Sequence, residues 1–321
     1  MALAEGALVL PPEGRIAVYR PTAADDLSAL PKDRLVVLTG FKPDHDAFKA
    51  SGHAVDPAPP YAAALVCLPR SRDHARALLA QAAAEVAPGG PVAVDGQKHD
   101  GIDSVLKELR AQVALGPALS KAHGRLAVFP AGPVLRDWAA QARAVEGGFV
   151  TRPGVFSADG ADRGSALLAA ALPAKLGPKV VDLGAGWGYL SRAVLAREGV
   201  KRLDLVEAEA EALDCARASI ADPRARFHWA DAAAWRPESL VETVVCNPPF
   251  HASRAADPGL GAAFISAARR MLAPDGALWL VANRHLPYLP VLRDQFLEVE
   301  DIGGDAAFRL IRAAKPRRAP R

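Results

Sequence analysis

Residues 244–251 read Val-Val-Cys-Asn-Pro-Pro-Phe-His. A buried apolar strand that runs out into Asn247, two prolines and an aromatic offers carbonyl acceptors beside a flat stacking face. That combination suits a planar base carrying an exocyclic amine. Such an amine is a poor nucleophile, because its lone pair is delocalised into the ring. If the Asn247 side-chain oxygen and the Pro248 carbonyl accept its two hydrogens, the nitrogen can pyramidalise and free the lone pair, while Phe250 stacks on the ring. Catalysis of this kind is positioning plus electrostatics and needs no strong base before transfer. A strand that merely stops at a Pro-Pro turn looks the same in isolation, so the neighbouring elements decide.

From Phe149 onward, strand-like and helix-like segments alternate in the manner of a parallel sheet with crossover helices. Residues 180–183 form a short apolar run that leads into Gly184-Ala185-Gly186-Trp187-Gly188, and residues 190–197 then have helical spacing. A second strand over 202–206 ends at Glu207 and is followed by a helix over 208–220. A third over 226–229 ends near Asp231 and Ala232, and a fourth over 243–246 ends on Asn247. A helix over 261–272, the turn Ala273-Pro274-Asp275-Gly276 and a fifth strand over 277–282 come next. Two last strands, 296–302 and 308–313, flank the hairpin turn Gly303-Gly304-Asp305.

Gly184, Gly186 and Gly188 let the backbone approach a ligand, and the start of the following helix offers N–H donors to a carboxylate or phosphate. Their spacing is G-x-G-x-G with Asp182 two residues before the first glycine, whereas the dinucleotide fingerprint is G-x-G-x-x-G. The former resembles the S-adenosylmethionine (SAM) loop of class I methyltransferases. Glu207, about 20 residues beyond the loop, is where a carboxylate can accept both hydroxyls of a ribose, and Asp231 where one can accept from the adenine amine. Either acid alone reads as a solvated strand end. Three acids on consecutive strand ends point to a ligand, because open α/β sheets bind ligands at the carboxyl ends of their strands.

The flanking motifs narrow the resemblance. Gly154-Val155-Phe156-Ser157 with Asp162, Gly164 and Ser165, Asn-Pro-Pro-Phe-His at 247–251, and Val281-Ala282-Asn283 with Leu286-Pro287-Tyr288 are similar to the bacterial small-subunit rRNA guanine-N2 methyltransferases of the RsmC type. The resemblance covers the C-terminal half and implies methyl transfer from SAM to the N2 amine of a guanine in 16S rRNA. It implies Asn247, Pro248 and Phe250 as catalytic residues. SAM would be held by Asp182, Gly184, Gly186, Gly188, Glu207, Asp231, Ala232 and Asn247, with Phe156 and Ser157 closing over it. His251, Arg152, Arg254 and Arg284, together with Arg163, are the expected RNA contacts, and Trp187 is expected to pack between the first helix and the sheet. Asn-Pro-Pro-aromatic motifs serve adenine, guanine and protein-glutamine methylases alike, so large-subunit guanine N2, adenine N6 and protein glutamine stand as alternative acceptors. From other classes, an NAD-dependent oxidoreductase on a Rossmann sheet is disfavoured by the glycine spacing. A non-catalytic RNA-binding protein is disfavoured by the intact acids and Asn247.

The first half reads as a worn copy of the second. Ala64-Leu65-Val66-Cys67-Leu68-Pro69-Arg70 resembles residues 244–250, and the turn Ala87-Pro88-Gly89-Gly90 resembles Ala273-Pro274-Asp275-Gly276. Leu68 stands where the second copy has Asn247, and no glycine-rich loop follows an early strand. The expected fold is α/β: two tandem Rossmann-like class I methyltransferase domains, each a mostly parallel seven-stranded sheet with a C-terminal antiparallel hairpin. The N-terminal domain, residues 1–133, is degenerate and serves RNA binding or stabilisation. A linker with a helix occupies 134–148, the helix itself over 134–146 bracketed by Ala131-Gly132-Pro133 and Gly147-Gly148, and 149–321 is catalytic, ending in the short basic tail 315–321.

At 321 residues, half of them apolar, the chain can bury two cores. A net charge of +3 is too small to argue for nucleic acid by itself. Cys67, Cys215 and Cys246 are far apart, with no spacing for zinc or a disulfide framework, so no metal is expected. No run of about 18 apolar residues and no signal-peptide pattern occurs, which leads to the expectation of a cytoplasmic protein without a membrane partner. The covalently linked pseudo-dimer has no evident need of a second chain, so a monomer is expected, with rRNA or the small ribosomal subunit as its partner.

Overall fold

The computed structural model describes residues 6–249 and 258–317. Internal contacts divide the chain into two units, Met1–Ala142 with Arg152–Gly154, and Arg143–Thr151 with Val155–Arg321.

In the first unit, Ile16–Tyr19 (β1), Leu35–Leu38 (β2), Ala54–Val55 (β3), Ala63–Cys67 (β4) and Pro91–Gln97 (β5) pair in parallel. Leu119–Lys121 (β6) and Gly124–Pro130 (β7) close the sheet antiparallel, giving the order β3-β2-β1-β4-β5-β7-β6. The central strands are buried on both faces, as a parallel sheet covered by helices requires. Lys42–Ala50 (α1), Arg72–Glu85 (α2) and Ile102–Arg110 (α3) are its helices. α2 begins at Ser71, whose hydroxyl accepts the His74 N–H at 3.3 Å, and its alanine- and leucine-rich face packs on Val66, Val92 and Val94.

Residues 134–148 do not form the single linking helix expected. A 3₁₀ turn, Pro133–Trp138, buries Leu135, and Arg143–Val145 (β8) then pairs antiparallel with Phe149–Thr151 (β9). Gly147 and Gly148 both sit at positive φ, 80° and 73°, so the glycine pair makes a hairpin turn where a helix would need αR backbone.

The second unit repeats the topology of the first. Lys179–Leu183 (β10), Arg202–Glu207 (β11), Ala225–Trp229 (β12), Val241–Cys246 (β13) and Leu272–Asn283 (β14) are parallel. Phe296–Gly304 (β15) and Phe308–Pro316 (β16) form the antiparallel hairpin, in the order β12-β11-β10-β13-β14-β16-β15. The expected turn at 273–276 lies within β14, as an excursion between the pairs Val241↔Leu272 and Thr243↔Ala277. Arg163–Ala171 (α4), Tyr189–Leu195 (α5) and Ala210–Ser219 (α6) cover one face with Val180, Leu205 and Val245; Pro258–Met271 (α7) and Tyr288–Gln295 (α8) cover the other with Val181, Leu183, Val244 and Cys246. α8 is absent from the sequence expectation. Among the described residues no helix is long and apolar enough to cross a membrane.

Candidate active site

Strand alternation decides which side chains meet at the carboxyl edge of the second sheet. Val181 and Leu183 point to the α7 face, so Asp182 points to the α5 face, where it is fully buried and accepts the Ser191 hydroxyl at 2.6 Å. By the same rule Val245 faces α4 and Cys246 faces α7, so Asn247 returns to the α4 side as β13 ends. The parallel pairing Leu183↔Cys246 sets Asn247 next to the glycine loop that follows β10.

The loop has the backbone that only glycine adopts readily. Gly184, Gly186 and Gly188 lie at φ of +80°, +55° and +91°. A Cβ on Gly188 would stand 2.7 Å from Ile220, whereas one on Gly186 would meet nothing within 4 Å. Gly188 is therefore held to glycine by its φ together with crowding from Ile220 and from Ala216, whose Cβ would lie 3.3 Å away, and Gly186 faces open space. Glu207 fixes the loop from behind: its carboxylate accepts the N–H of Gly186 at 2.7 Å and that of Glu209 at 2.8 Å. Each oxygen keeps a further lone pair for a hydroxyl donor.

A cleft is lined by Gly184, Ala185, Gly186, Trp187, Tyr189, Leu190, Phe156, Ser157, Asp162, Ser165 and Asn247. Phe156 is 58 % exposed at its edge, and its carbonyl accepts the Trp187 indole N–H at 2.8 Å. Trp187 is buried against Phe149 and Tyr189, so the residue expected only to pack also ties Phe156 to the glycine loop. Ser157 adopts φ of +54° and turns its hydroxyl onto the Gly160 carbonyl at 2.8 Å.

Asn247 donates its side-chain Nδ2 to the Asp162 carboxylate at 3.0 Å and to the Ser165 hydroxyl at 2.8 Å. Asp162 is the N-cap of α4 and accepts the Ser165 backbone N–H at 2.8 Å. Gly164 leaves it room, since a Cβ there would lie 3.1 Å from Asp162 Oδ2 and 3.0 Å from the Phe308 ring. With Nδ2 so occupied, the amide oxygen is the part of Asn247 left to accept a hydrogen from a ligand. Asp162 and Ser165 entered the sequence reading only through the resemblance. Asp-Arg-Gly-Ser is legible as a helix cap, but its reach to β13 depends on the fold.

Beneath the loop, burial pushes the Asp182 carboxyl up to about 7, and the nearby Glu207 charge adds to the rise. Burial also raises Glu207, opposed by its backbone N–H partners. Asp182 Oδ1 has no hydrogen-bond partner among the described residues. Two carboxyls under a glycine cradle with open space at Gly186 fit a cationic ligand carrying a ribose, and SAM is such a molecule. Neither Asp182 nor Glu207 lines the described cleft; both stand behind the loop that does.

The other expected residues are placed variously. Asp231 turns back to accept the Ala233 N–H at 2.8 Å, and Ala232 is buried; neither lines the described cleft. Pro248 is buried beside Asn247. Arg163 pairs with the Asp305 carboxylate at 2.7 Å and Arg284 donates to the Asp305 carbonyl at 2.5 Å, so the two gather at the β15–β16 turn. Arg152 is exposed and groups with the first unit. Phe250, His251, Arg254 and the end of the basic tail lie outside the described residues. Among the described residues no three His, Cys, Asp or Glu side chains converge as a metal site would require.

Comparison with known proteins gives a consistent picture. Residues 146–312 match the methyltransferase small domain. The ribosomal RNA small subunit methyltransferase C of Alcanivorax borkumensis is 35 % identical over 271 residues, covering 80 % of this chain and 82 % of the relative, so the similarity reaches well into the first unit. The ribosomal RNA large subunit methyltransferase G of Streptomyces avermitilis is 36 % identical but matches only 50 % of this chain and 44 % of its own length. The solved structure of the T. thermophilus 16S rRNA N2 methyltransferase RsmC in complex with AdoMet and guanosine superposes with a TM-score of 0.77 at 26 % identity, covering 96 % of this chain and 90 % of that one.

Proposed function

Since the chain belongs to the methyltransferase small-domain family and, within it, to the small-subunit rRNA methyltransferase C family, we propose that it transfers a methyl group from SAM to the N2 amine of a guanine in small-subunit rRNA. The observation that carries the reading is the convergence of Asn247 and the glycine loop on one cleft. Bound SAM supplies an electrophilic methyl group on a sulfonium. Gly184, Gly186 and Glu207 would hold it, the Glu207 oxygens accepting ribose hydroxyls and the buried Asp182 supporting the loop from below. The Asn247 amide oxygen accepts one hydrogen of the guanine amine and the Pro248 carbonyl the other. That pair of acceptors draws the lone pair out of the ring and aims it at the methyl, so rate enhancement comes from orientation and preorganised dipoles. Phe156, exposed at the cleft edge, supplies a stacking face, and Phe250 is assigned the same task toward the base.

The same reading assigns residues 1–133 to RNA presentation and stabilisation, places the protein in the cytoplasm, and makes it a monomer whose partner is the small subunit or its rRNA. Radiolabelled SAM offered separately to small subunits, large subunits and a protein extract, followed by nucleoside analysis, tests the assignment. Label as N2-methylguanosine in small-subunit RNA is expected. Label in large-subunit RNA, in N6-methyladenosine or in protein glutamine overturns it.

A further inference from the structure

An asparagine that must accept from an amine has a wrong way round. Its amide oxygen and nitrogen are nearly alike in shape, and the flipped side chain would present N–H donors to the donors of the substrate amine. Something has to fix the polarity, and here the flanking groups do. An ionised carboxylate only accepts hydrogen bonds, so it can face Nδ2 but not Oδ1 of Asn247. Asp162 Oδ2 lies 3.0 Å from Nδ2, and the Ser165 hydroxyl lies 2.8 Å from it. The carboxylate is itself held, because the same Oδ2 accepts the Ser165 backbone N–H at 2.8 Å as the cap of α4. Gly164, between them, cannot gain a Cβ without crowding that oxygen and Phe308.

Resting on the reaction proposed above, we infer that Asp162 is a positioning residue: its carboxylate, with the Ser165 hydroxyl, locks the Asn247 amide so that its oxygen faces the acceptor amine. The Asp-x-Gly-Ser motif is then one device. Asp162 sets the polarity, Gly164 gives it room, and Ser165 holds the carboxylate through its backbone and Asn247 through its side chain.

The test is single-turnover methyl transfer at saturating small subunit and SAM, with SAM affinity by calorimetry and Tm measured alongside. Asp162→Ser keeps a capping oxygen for α4 but removes the carboxylate from Asn247. Its transfer rate is expected to fall roughly 10- to 100-fold while SAM affinity and Tm stay close to wild type. Asp162→Asn, which can still place an accepting oxygen at the same point, is expected to lose less than Asp162→Ser. An Asp162→Ser protein as fast as wild type overturns the lock, and so does a loss that merely follows Tm and SAM affinity, since that is a cap alone. Should Asp162→Ser not fold, Ser165→Ala leaves the capping side chain intact. A loss of roughly 3- to 10-fold at unchanged SAM affinity is expected there, and a wild-type rate overturns the proposal. Wild-type protein that puts no methyl on guanine N2 defeats the underlying reaction; wild-type protein that does so, matched by both variants, defeats only the lock.

Discussion

The two sheets of this chain share one strand order and differ at its edges. In each, five parallel strands are closed by an antiparallel hairpin in the same sequence of neighbours. In the second, β10 runs into three left-handed glycines, β11 ends on Glu207 and β13 on Asn247. In the first, β1 runs into Arg20-Pro21-Thr22, β2 into Thr39-Gly40, and β4 into Leu68. Leu68 is 9 % exposed and packs so closely on Gly96 that a Cβ there would stand 2.8 Å from its own Cβ. The first sheet thus uses for core packing the position that in the second lines a cleft. Topology is retained by apolar strands and their register, whereas the proposed chemistry is assigned to a few strand-end residues that the first sheet lacks without losing its strand order.

Asn247→Ala would bring the second sheet down to the chemical level of the first. Methyl transfer is expected to fall roughly 10²- to 10³-fold with SAM affinity little changed, read by single-turnover kinetics and calorimetry. Glu207→Gln attacks the cofactor side of the contrast. One of its two backbone N–H partners would face an amide NH2 and the ribose would lose a charged acceptor, so SAM is expected to bind about 10- to 100-fold more weakly by titration. Leu68→Asn approaches from the other side, restoring the residue type without the loop. Denaturant unfolding should show a loss of about 1–3 kcal/mol from the buried amide, with the methyl-transfer rate per folded molecule unchanged. A gain of SAM turnover in the Leu68→Asn protein would show that the first sheet lacks only this residue.

The smallest effect concerns pH. The folded-state value of Asp182 is raised from 3.8 to about 7, so the native protein keeps a proton that the unfolded chain has released. Stability from this group is therefore present at low pH and declines as pH rises through about 7. Between pH 6 and pH 8 the decline amounts to about 1.4 kcal/mol. Asp182→Asn should remove that part of the slope in ligand-free protein, and an unaltered slope would locate the titration elsewhere.

Local pattern carried much of this architecture. Strands β10, β11 and β13 are legible because each is a short apolar run that stops at a glycine turn or a polar residue, β12 because Phe227 and Trp229 alternate with Arg226 and His228, and the hairpin because two glycines separate two strand-like runs. The linking segment misled, since residues 134–146 have no proline to forbid a helix and the turn-forming role of Gly147-Gly148 emerges only once β8 and β9 find each other. Asn247 and the glycine loop are legible one strand at a time as strand-end residues, whereas Asp231, expected on the same ground, turns back onto the Ala233 N–H. The partnership of Asp162 and Ser165 with Asn247 is not legible, because it joins residues more than 80 positions apart through the alternation of β13 and the start of α4. Nor could sequence distinguish Asp182 lining the cleft from Asp182 supporting it, a matter of which face the strand turns to α5.

Of the two like sheets, only the second is expected to hold the cofactor. Calorimetric titration of the wild-type chain with SAM decides this, with Glu207→Gln and Leu68→Asn titrated in parallel. One SAM per chain is predicted, weakened by the change at Glu207 and indifferent to the change at Leu68. Two SAM molecules per chain, or binding untouched by Glu207→Gln and lost with Leu68→Asn, would place the cofactor elsewhere.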